Sequence, residues 1–402
     1  MIAIIMRIAR SLRPVWLASA LERQLLSDQI RQFKLINKPV EFDGFIFIIC
    51  MARITNLFRD RLYVFSSTPE IYENERIIIA NIFEKEGLEK PQTLKFLNAN
   101  INNDLFLITN SDGQFCVKLS LDKNNSKLKK EFDILKNNIN RKITSFPVAH
   151  GVLENMDCIE YSIVGYLPMP NLYDFGLSPI LESENSIPYF IENLARFDKT
   201  NVKETINDHF DKYLNFDILK IPEVDVKWIE NHTQIRDIVK NQILYLQKII
   251  KEKLQIADLF ADDFCHGELN YSTILPFGEQ LHAINFEDSY CGDKLFELYC
   301  LRYELFYSEK VEQEFVNKIA EINGEPYSFE KMKKTKDLAS YFSLLKIMVD
   351  YLTEVYILKG SRENKIIHCA FKLSKNYDSF YQLPDFDKKL KPLAEFFVES
   401  VI

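Results

Sequence analysis

The alternation of apolar and polar residues predicts a group of short strands between residues 94 and 164. Aliphatic and aromatic runs recur in this stretch. Turns rich in Asn, Ser, Asp and Gly separate them, which is typical of antiparallel strands. Asp112-Gly113 adds a strong hairpin signal between the second and third runs. The predicted strands are 94–97, 104–109, 115–121, 148–153 and 158–164.

Apolar residues at helical spacing predict helices before and within this group of strands. One helix covers 77–86 and ends at Gly87. A second covers 126–138, where apolar residues recur at i, i+4, i+7 and i+11. That stripe consists of Leu128, Phe132, Leu135 and Ile139. The remaining chain is mostly helical apart from a strand–turn–strand piece at 272–286. A small antiparallel sheet with one helix, followed by a larger helical lobe, predicts an α+β fold.

Residues 1–75 match no recognisable pattern and are treated as an N-terminal extension. Strand candidates occur at 45–52 and 62–65. Three arginines of the first 25 residues interleave with isoleucines, as in a basic amphipathic helix on a membrane or an organellar presequence. A plain surface helix is the favoured interpretation, because Pro14 and Trp16 interrupt the stripe. The arginines are Arg7, Arg10 and Arg13.

Composition narrows the class of protein. Of 402 residues, 47% are apolar and 27% charged, which excludes disorder over the whole chain. The net charge of −8 argues against a nucleic-acid partner. The longest apolar run, 45–52, is about half the minimum for a transmembrane helix, so we expect a buried strand and no transmembrane segment.

The seven cysteines indicate a reducing compartment. None of them is spaced as C-x-x-C, and no Cys/His pairing has the spacing of zinc ligands, so a structural zinc site is not expected. An odd number of scattered cysteines is typical of free thiols in a cytoplasmic protein. We therefore expect a cytoplasmic location.

Lys118 and Glu131 form the first candidate pair. Alternation along the strand 115–121 places Lys118 on a face of small residues, opposite the apolar face. Glu131 lies at the edge of the apolar stripe of the next helix. A buried charge needs a partner, so the two side chains could pair. The local pattern alone favours two solvated surface charges instead.

The second candidate site follows His266. Residues 266–275 are rich in turn formers and lead into a strand, and 284–289 follow ten residues later. If 285–287 is extended, Asn285 and Glu287 point the same way. Side-chain oxygens of this kind suit Mg²⁺. A polar hairpin with a core histidine explains the pattern equally well. The oxygen-bearing residues are Glu268, Thr273, Asn285, Glu287 and Asp288.

This region resembles the catalytic region of the aminoglycoside phosphotransferase / choline kinase family. In that family a loop H-G-D-x-x-x-x-N precedes I-D-[WF]-E and then G-D-x-x-x-D-L. The same order and spacing occur here. The matching residues are His266-Gly267-Glu268, Thr273, Ile284-Asn285-Phe286-Glu287, Gly292-Asp293 and Glu297-Leu298.

The resemblance covers roughly residues 76–402 and implies a bilobal protein-kinase-like fold. It implies an N-lobe and hinge at 76–170 and a mainly helical C-lobe at 171–402. Lys118 and Glu131 then become the pair that holds the phosphates of ATP. Val164 and Tyr166 fall in the hinge that faces the adenine.

The departures from the family pattern fall at the chemical positions. The catalytic Asp is Glu268 here, the metal-binding Asn is Thr273, and the principal metal-binding Asp is Asn285. The set therefore carries one negative charge fewer. Glu268 is one methylene longer than Asp, and a displacement of about 1 Å can cost roughly a hundredfold in rate. The loop 98–103 also has no glycine.

Two functions follow from these departures. We expect a degenerate, pseudokinase-like member with weak or lost phosphotransfer that binds nucleotide, a metabolite or a protein partner. The alternative is an active ATP-dependent kinase acting on a hydroxyl of a sugar, amino alcohol or aminoglycoside-like acceptor. Glu268 would then be the base. Mg²⁺ would be held by Thr273, Asn285, Glu287 and Asp288. A third, weaker hypothesis assigns the function to 1–75 as a membrane- or partner-docking segment.

Overall fold

The computed structural model describes most of the chain from residue 69 onward. The described residues are 69–99, 103–120, 127–154, 158–168, 186–217, 232–257, 259, 262–277, 280–353, 372–373 and 376–383. They fall into two compact units, of which the larger lies within 52–218 and 243–346 and contains every predicted site residue. The arginine stripe and both early strand candidates lie outside the described residues.

A five-stranded antiparallel sheet forms the first part of the larger unit. Each of the five predicted strands is present. The strands are β1 (Thr93–Ala99), β2 (Asn103–Asn110), β3 (Gly113–Ser120), β4 (Pro147–Leu153) and β5 (Ile159–Gly165). Their spatial order is β1-β2-β3-β5-β4, and every neighbouring pair is antiparallel.

The β2–β3 hairpin confirms the Asp112-Gly113 signal. Asn110 pairs with Gly113 across the turn, and the Asn110 Oδ1 accepts the backbone N–H groups of Asp112 (2.9 Å) and Gly113 (3.1 Å). This Asn side chain takes the place of backbone partners inside the turn. The hairpin fixes the register of β3, and with it the direction of Lys118.

Helix α1 (Pro69–Lys85) packs on one face of the sheet. Its residues Ile79 and Phe83 are fully buried, and the Phe83 ring meets the Phe115 ring edge-on at 6.0 Å. Val117 and Leu119 of β3 belong to the same core. The apolar face predicted for β3 is thus confirmed, and alternation leaves the side chain of Lys118 on the opposite face.

Helix α2 (Leu128–Asn137) packs against β4 and β5. Leu128 and Leu135 are buried as predicted, but Ile139 lies exposed in a 3-10 turn, so the predicted stripe is too long. The reason is Asn138, whose side chain donates to the carbonyl of Ile134 (2.9 Å) and accepts the N–H of Asp198 (2.8 Å). These bonds end the helix before Ile139. Ile134 fills the core instead.

The following part is mainly helical, which confirms the α+β arrangement. The hairpin predicted at 272–286 is present as β7 (Ile274–Phe277) and β8 (Gln280–Ala283), and β6 (Asp263–Cys265) pairs with β9 (Tyr290–Gly292). No helix of the described residues is long and apolar enough to cross a membrane. The elements are α3 (Ser186–Ala195), α4 (Ile206–Leu214), α5 (His232–Leu254), β6 (Asp263–Cys265), β7 (Ile274–Phe277), β8 (Gln280–Ala283), β9 (Tyr290–Gly292), α6 (Lys294–Leu305), α7 (Glu309–Asn323), α8 (Phe329–Leu352) and α9 (Tyr377–Tyr381).

Candidate functional site

Lys118 lies at the centre of the candidate site. Its Nζ is 2.6 Å from Glu131 Oε2, 2.7 Å from Glu287 Oε1 and 2.9 Å from Asn285 Oδ1. The side chain of Lys118 is only 12% exposed. The predicted ion pair with Glu131 is therefore present, and the interpretation of two solvated charges is wrong.

The charges of this cluster stabilise one another. Burial by itself would lower the pKa of Lys118, but the carboxylates of Glu131 and Glu287 outweigh burial and raise that pKa above its ordinary value. Glu131 is 3% exposed and has a second anchor, because its Oε1 accepts the N–H of Phe286 at 3.1 Å. Glu131 thus joins β3, α2 and the segment after β8.

The segment after β8 is a turn, so the extended geometry predicted for it is wrong. Asn285 has a left-handed backbone (φ 70°), and Phe286–Asp288 is a single 3-10 turn. Asn adopts this conformation more readily than most residues. Asn285 and Glu287 both reach Lys118 all the same, because the turn brings their side chains to the same ammonium group.

The loop between β6 and β7 is organised by His266. This side chain is fully buried, and burial lowers its pKa to about 4. The neutral ring donates from Nε2 to the carbonyl of Ile284 (2.9 Å) and accepts the N–H of Glu268 at Nδ1 (3.3 Å). His266 therefore ties the loop that carries Glu268 to the segment that carries Asn285.

Gly267 and Glu297 hold the same loop from the other side. Gly267 has φ 84°, and a Cβ at this position would overlap the carbonyl oxygen of Asp288. Its N–H donates to the Glu297 Oε1 at 2.8 Å. Burial raises the pKa of Glu297 to about 7, although hydrogen bonds from the N–H groups of Gly267 and His266 act in the opposite direction. Sequence reasoning placed Glu297 in a motif but assigned it no role.

Glu268 and Thr273 lie within this loop. The half-buried Glu268 approaches Asn285, whose Nδ2 is 3.4 Å from Glu268 Oε2. The Thr273 hydroxyl donates to the carbonyl of Glu268 (2.8 Å) and accepts the N–H of Asn270 (3.0 Å). Thr273 thus stabilises the loop, while the role of Glu268 as a base stays a prediction.

Asp288 belongs to a separate ion cluster. Its Oδ1 is 2.5 Å from the Nζ of Lys127, and its Oδ2 is 3.1 Å from the Nζ of Lys212 on α4. Burial would raise the pKa of Asp288, but these two lysines outweigh it and lower that pKa. Sequence reasoning missed both lysines, because only the tertiary fold brings them together.

Protein donors compete with a divalent cation at the four predicted metal ligands. Mg²⁺ needs oxygen ligands in nearly octahedral geometry, and each of these side chains already makes at least one hydrogen bond or ion pair with a protein group. Asn285 and Glu287 are bonded to Lys118, Asp288 to two lysines, and the Thr273 hydroxyl to the loop backbone. Within the described residues, no group of three or more His, Cys, Asp or Glu is arranged to hold a metal ion.

The predicted hinge follows β5. Val164 is half-buried and lies opposite Cys116 in the β3–β5 register. The N–H of Tyr166 donates to the carbonyl of Gln114 at 2.9 Å, so the chain stays attached to the sheet beyond the end of β5. This stretch of described residues ends at 168, and the next begins at 186. A contact of Val164 and Tyr166 with adenine stays a prediction.

Asn103 is a site residue that sequence reasoning missed. It begins β2 and is 2% exposed, and its Nδ2 lies 3.1 Å from both carboxylate oxygens of Glu287. The only signal in the sequence was the loop 98–103, which is rich in asparagine and contains no glycine. Asn103 adds a second donor from the sheet next to Lys118.

Comparison with solved structures identifies the fold. A spectinomycin phosphotransferase solved with ADP and spectinomycin has a TM-score of 0.54 at 11% identity, covering 80% of this chain and 93% of that one. A GDP complex of a mutant aminoglycoside 2′-phosphotransferase IIIa has a TM-score of 0.54 at 13% identity, covering 75% and 96%. An amicoumacin kinase with AMP-PNP and Ca²⁺ has a TM-score of 0.52 at 12% identity, covering 79% and 98%.

The chain thus has the protein-kinase-like fold of small-molecule phosphotransferases. The predicted fold class is confirmed, and so is the resemblance to aminoglycoside phosphotransferases, at the level of the fold. No protein-family model matches the sequence. No curated protein matches it either.

Proposed function

We propose that this protein binds a nucleotide in a kinase-like phosphotransferase fold and that its phosphotransfer is weak or lost. The observation that carries the proposal is the buried Lys118–Glu131 pair at 2.6 Å. A fixed ammonium group of this kind holds nucleotide phosphates in kinases. The solved structures with this fold contain ADP, GDP or AMP-PNP, which supports a nucleotide as the ligand.

The weakness of phosphotransfer follows from the changed chemical positions. Phosphoryl transfer depends mainly on positioning and on neutralising charge at the transferred group. Here Asn285 is neutral and bonded to Lys118, and Thr273 is bonded to the loop backbone. No step of the proposed function involves a metal ion.

An active kinase is the second candidate, and the position of Glu268 favours it. This carboxylate is near Asn285, which in turn contacts Lys118. A base at this place would take the proton from an acceptor hydroxyl. Solved structures with this fold contain spectinomycin or kanamycin, which are hydroxyl-bearing acceptors of that kind.

The remaining expectations belong to the same proposal. The five described cysteines are free, which suits the reducing cytoplasm.

We retain 76–170 and 171–402 as the two lobes and 1–75 as an extension. A protein partner and a docking role for 1–75 are proposals that deletion of 1–50 would test, by changing the location of the protein in cells.

Titration calorimetry with ADP and ATP tests the proposed function. We expect wild type to bind and Lys118→Met to bind at least about tenfold more weakly, since the phosphates lose their cation. Lys129→Met is the matched control, because Lys129 is an exposed lysine on α2 that pairs only with Asp133 among the described residues. Urea unfolding checks that both variants fold. Absence of binding by wild type would contradict the proposal.

Turnover distinguishes the two candidates. Wild type is incubated with ATP and a panel of sugars, amino alcohols and aminoglycosides, and phosphorylated product is measured. The proposal predicts little or no product and the same result for Glu268→Gln. Product formation that Glu268→Gln abolishes would establish the active kinase instead.

A further inference from the structure

We propose that Glu287 is a built-in anionic competitor that occupies the place of a nucleotide phosphate beside Lys118. This inference rests on the proposed nucleotide binding and adds the way in which that binding is restrained. The nucleotide binds only when its phosphate displaces the Glu287 carboxylate from Lys118. Glu287 therefore sets the affinity of the site from within the chain.

The donors around Glu287 are those that a phosphate would use. Its carboxylate accepts from the Lys118 Nζ (2.7 Å) and from the Asn103 Nδ2 (3.1 Å to each oxygen). The two donors lie on neighbouring strands, β3 and β2. An ammonium group and an amide that converge on one anion form the charge-assisted bonds that phosphate oxygens also accept. A carboxylate imitates the phosphate at this position.

Among the described residues, the Asn103 side chain has Glu287 as its hydrogen-bond partner. Its Nδ2 donates to Glu287, whereas its buried Oδ1 has no hydrogen-bond partner among the described residues. A buried polar atom without a partner costs free energy. The amide thus keeps the orientation that serves the carboxylate, and a phosphate in place of Glu287 would receive the same bond.

Lys118 pairs with two carboxylates, Glu131 and Glu287, although one is enough to balance its charge. Glu131 is the fixed partner, because its side chain is 4% exposed and also accepts the N–H of Phe286. Glu287 is on a three-residue turn and 12% exposed. A phosphate can therefore replace Glu287 and leave the pair with Glu131 in place, whereas a phosphate beside both carboxylates would be repelled.

The test compares ADP binding by wild type and Glu287→Gln in EDTA, measured by titration calorimetry. Gln has the same size and keeps one oxygen that can accept from Asn103, so the variant removes the charge and one acceptor atom. We expect the variant to bind ADP about tenfold more tightly or better, because the phosphate no longer competes with an anion. Adenosine lacks phosphate and should bind both proteins equally.

Asp133→Asn is the matched control, since it removes the same charge from a surface ion pair on α2. We expect its ADP affinity to equal that of wild type. Glu287→Ser makes the same prediction if the Gln variant fails to fold in urea-unfolding measurements. ADP binding in EDTA by Glu287→Gln that is unchanged from wild type or weaker would overturn the inference. Absence of ADP binding by every variant and by wild type would overturn the proposed function as well.

Discussion

Glu297 is a buried carboxylate that acts on the loop backbone. It accepts the N–H of Gly267, and burial raises its pKa to about 7 from an ordinary value of 4.5. Between these pH values the folded protein retains a proton that the unfolded chain has lost. The resulting stabilisation is complete below pH 4.5 and is lost as the pH rises to about 7.

Replacing Glu297 by Gln should remove this dependence on pH. We expect the free energy of unfolding of wild type, minus that of Glu297→Gln, to fall by up to about 3 kcal/mol between pH 4.5 and 7. Urea unfolding of both proteins at each pH measures the difference. A difference that stays constant across this range would contradict the raised pKa.

Because His266 also titrates in this pH range, the unfolding free energy of wild type has to be compared with that of Glu297→Gln. Burial lowers the pKa of His266 from 6.5 to about 4, so its contribution to stability is lost as the pH falls from 6.5 through 4. Wild type alone therefore shows two opposing trends. The difference between wild type and Glu297→Gln cancels the His266 contribution, because both proteins contain it.

Single residues were predictable from sequence where a simple periodicity governs them. The alternation along β3 predicted the face of Lys118, and the stripe of α2 predicted the position of Glu131. Their pairing followed only from the family resemblance, because the local pattern favoured two solvated charges. Asn103, Lys127 and Lys212 were not predictable, because they lie 184, 161 and 76 residues, respectively, from their acidic partners in the chain. Their contacts exist only in the folded protein.

At the scale of elements, the close approach of the loop 266–273 to the turn Phe286–Asp288 depends on Gly267. Gly267→Ala would place a Cβ against the carbonyl of Asp288 and also strain the backbone at φ 84°. We expect this variant to lose more than about 2 kcal/mol of unfolding free energy. Urea unfolding measures the loss.

Gly87→Ala is the control for that prediction. Gly87 also has a positive φ, 68°, but a Cβ there meets nothing within 4 Å. We expect it to lose about 1 kcal/mol, from backbone strain alone. Equal losses in the two variants would show that the contact between the loop and the turn contributes nothing.

Elements built from regular patterns were predicted, and irregular ones were not. The strands of the sheet and the β7–β8 hairpin follow from alternation and turn residues. The turn after β8 was predicted as extended, because the left-handed backbone of Asn285 leaves no mark in the pattern of apolar residues. The predicted end of α2 at 138 agrees with the structure within one residue. Ile139 was wrongly counted in its apolar stripe, because the bonds of Asn138 reach back to Ile134 and across to Asp198.

At the scale of the molecule, the order of motifs predicted the fold that solved structures share at 11–13% identity. The ordered motifs carried the inference, since overall similarity is low. The function of the site was less predictable, because it depends on which donors occupy each carboxylate. Glu287 and Asp288 form ion pairs with lysines. These lysines would have to move away before either carboxylate could bind a metal ion.

The decisive measurement is the titration of wild type with ADP, once in Mg²⁺ and once in EDTA. We expect binding in both solutions with dissociation constants that agree within about threefold, because lysine and amide donors hold the phosphates. Binding that weakens by more than about tenfold in EDTA would mean that Glu287 and its neighbours build a metal site and that the proposed binding mode is wrong.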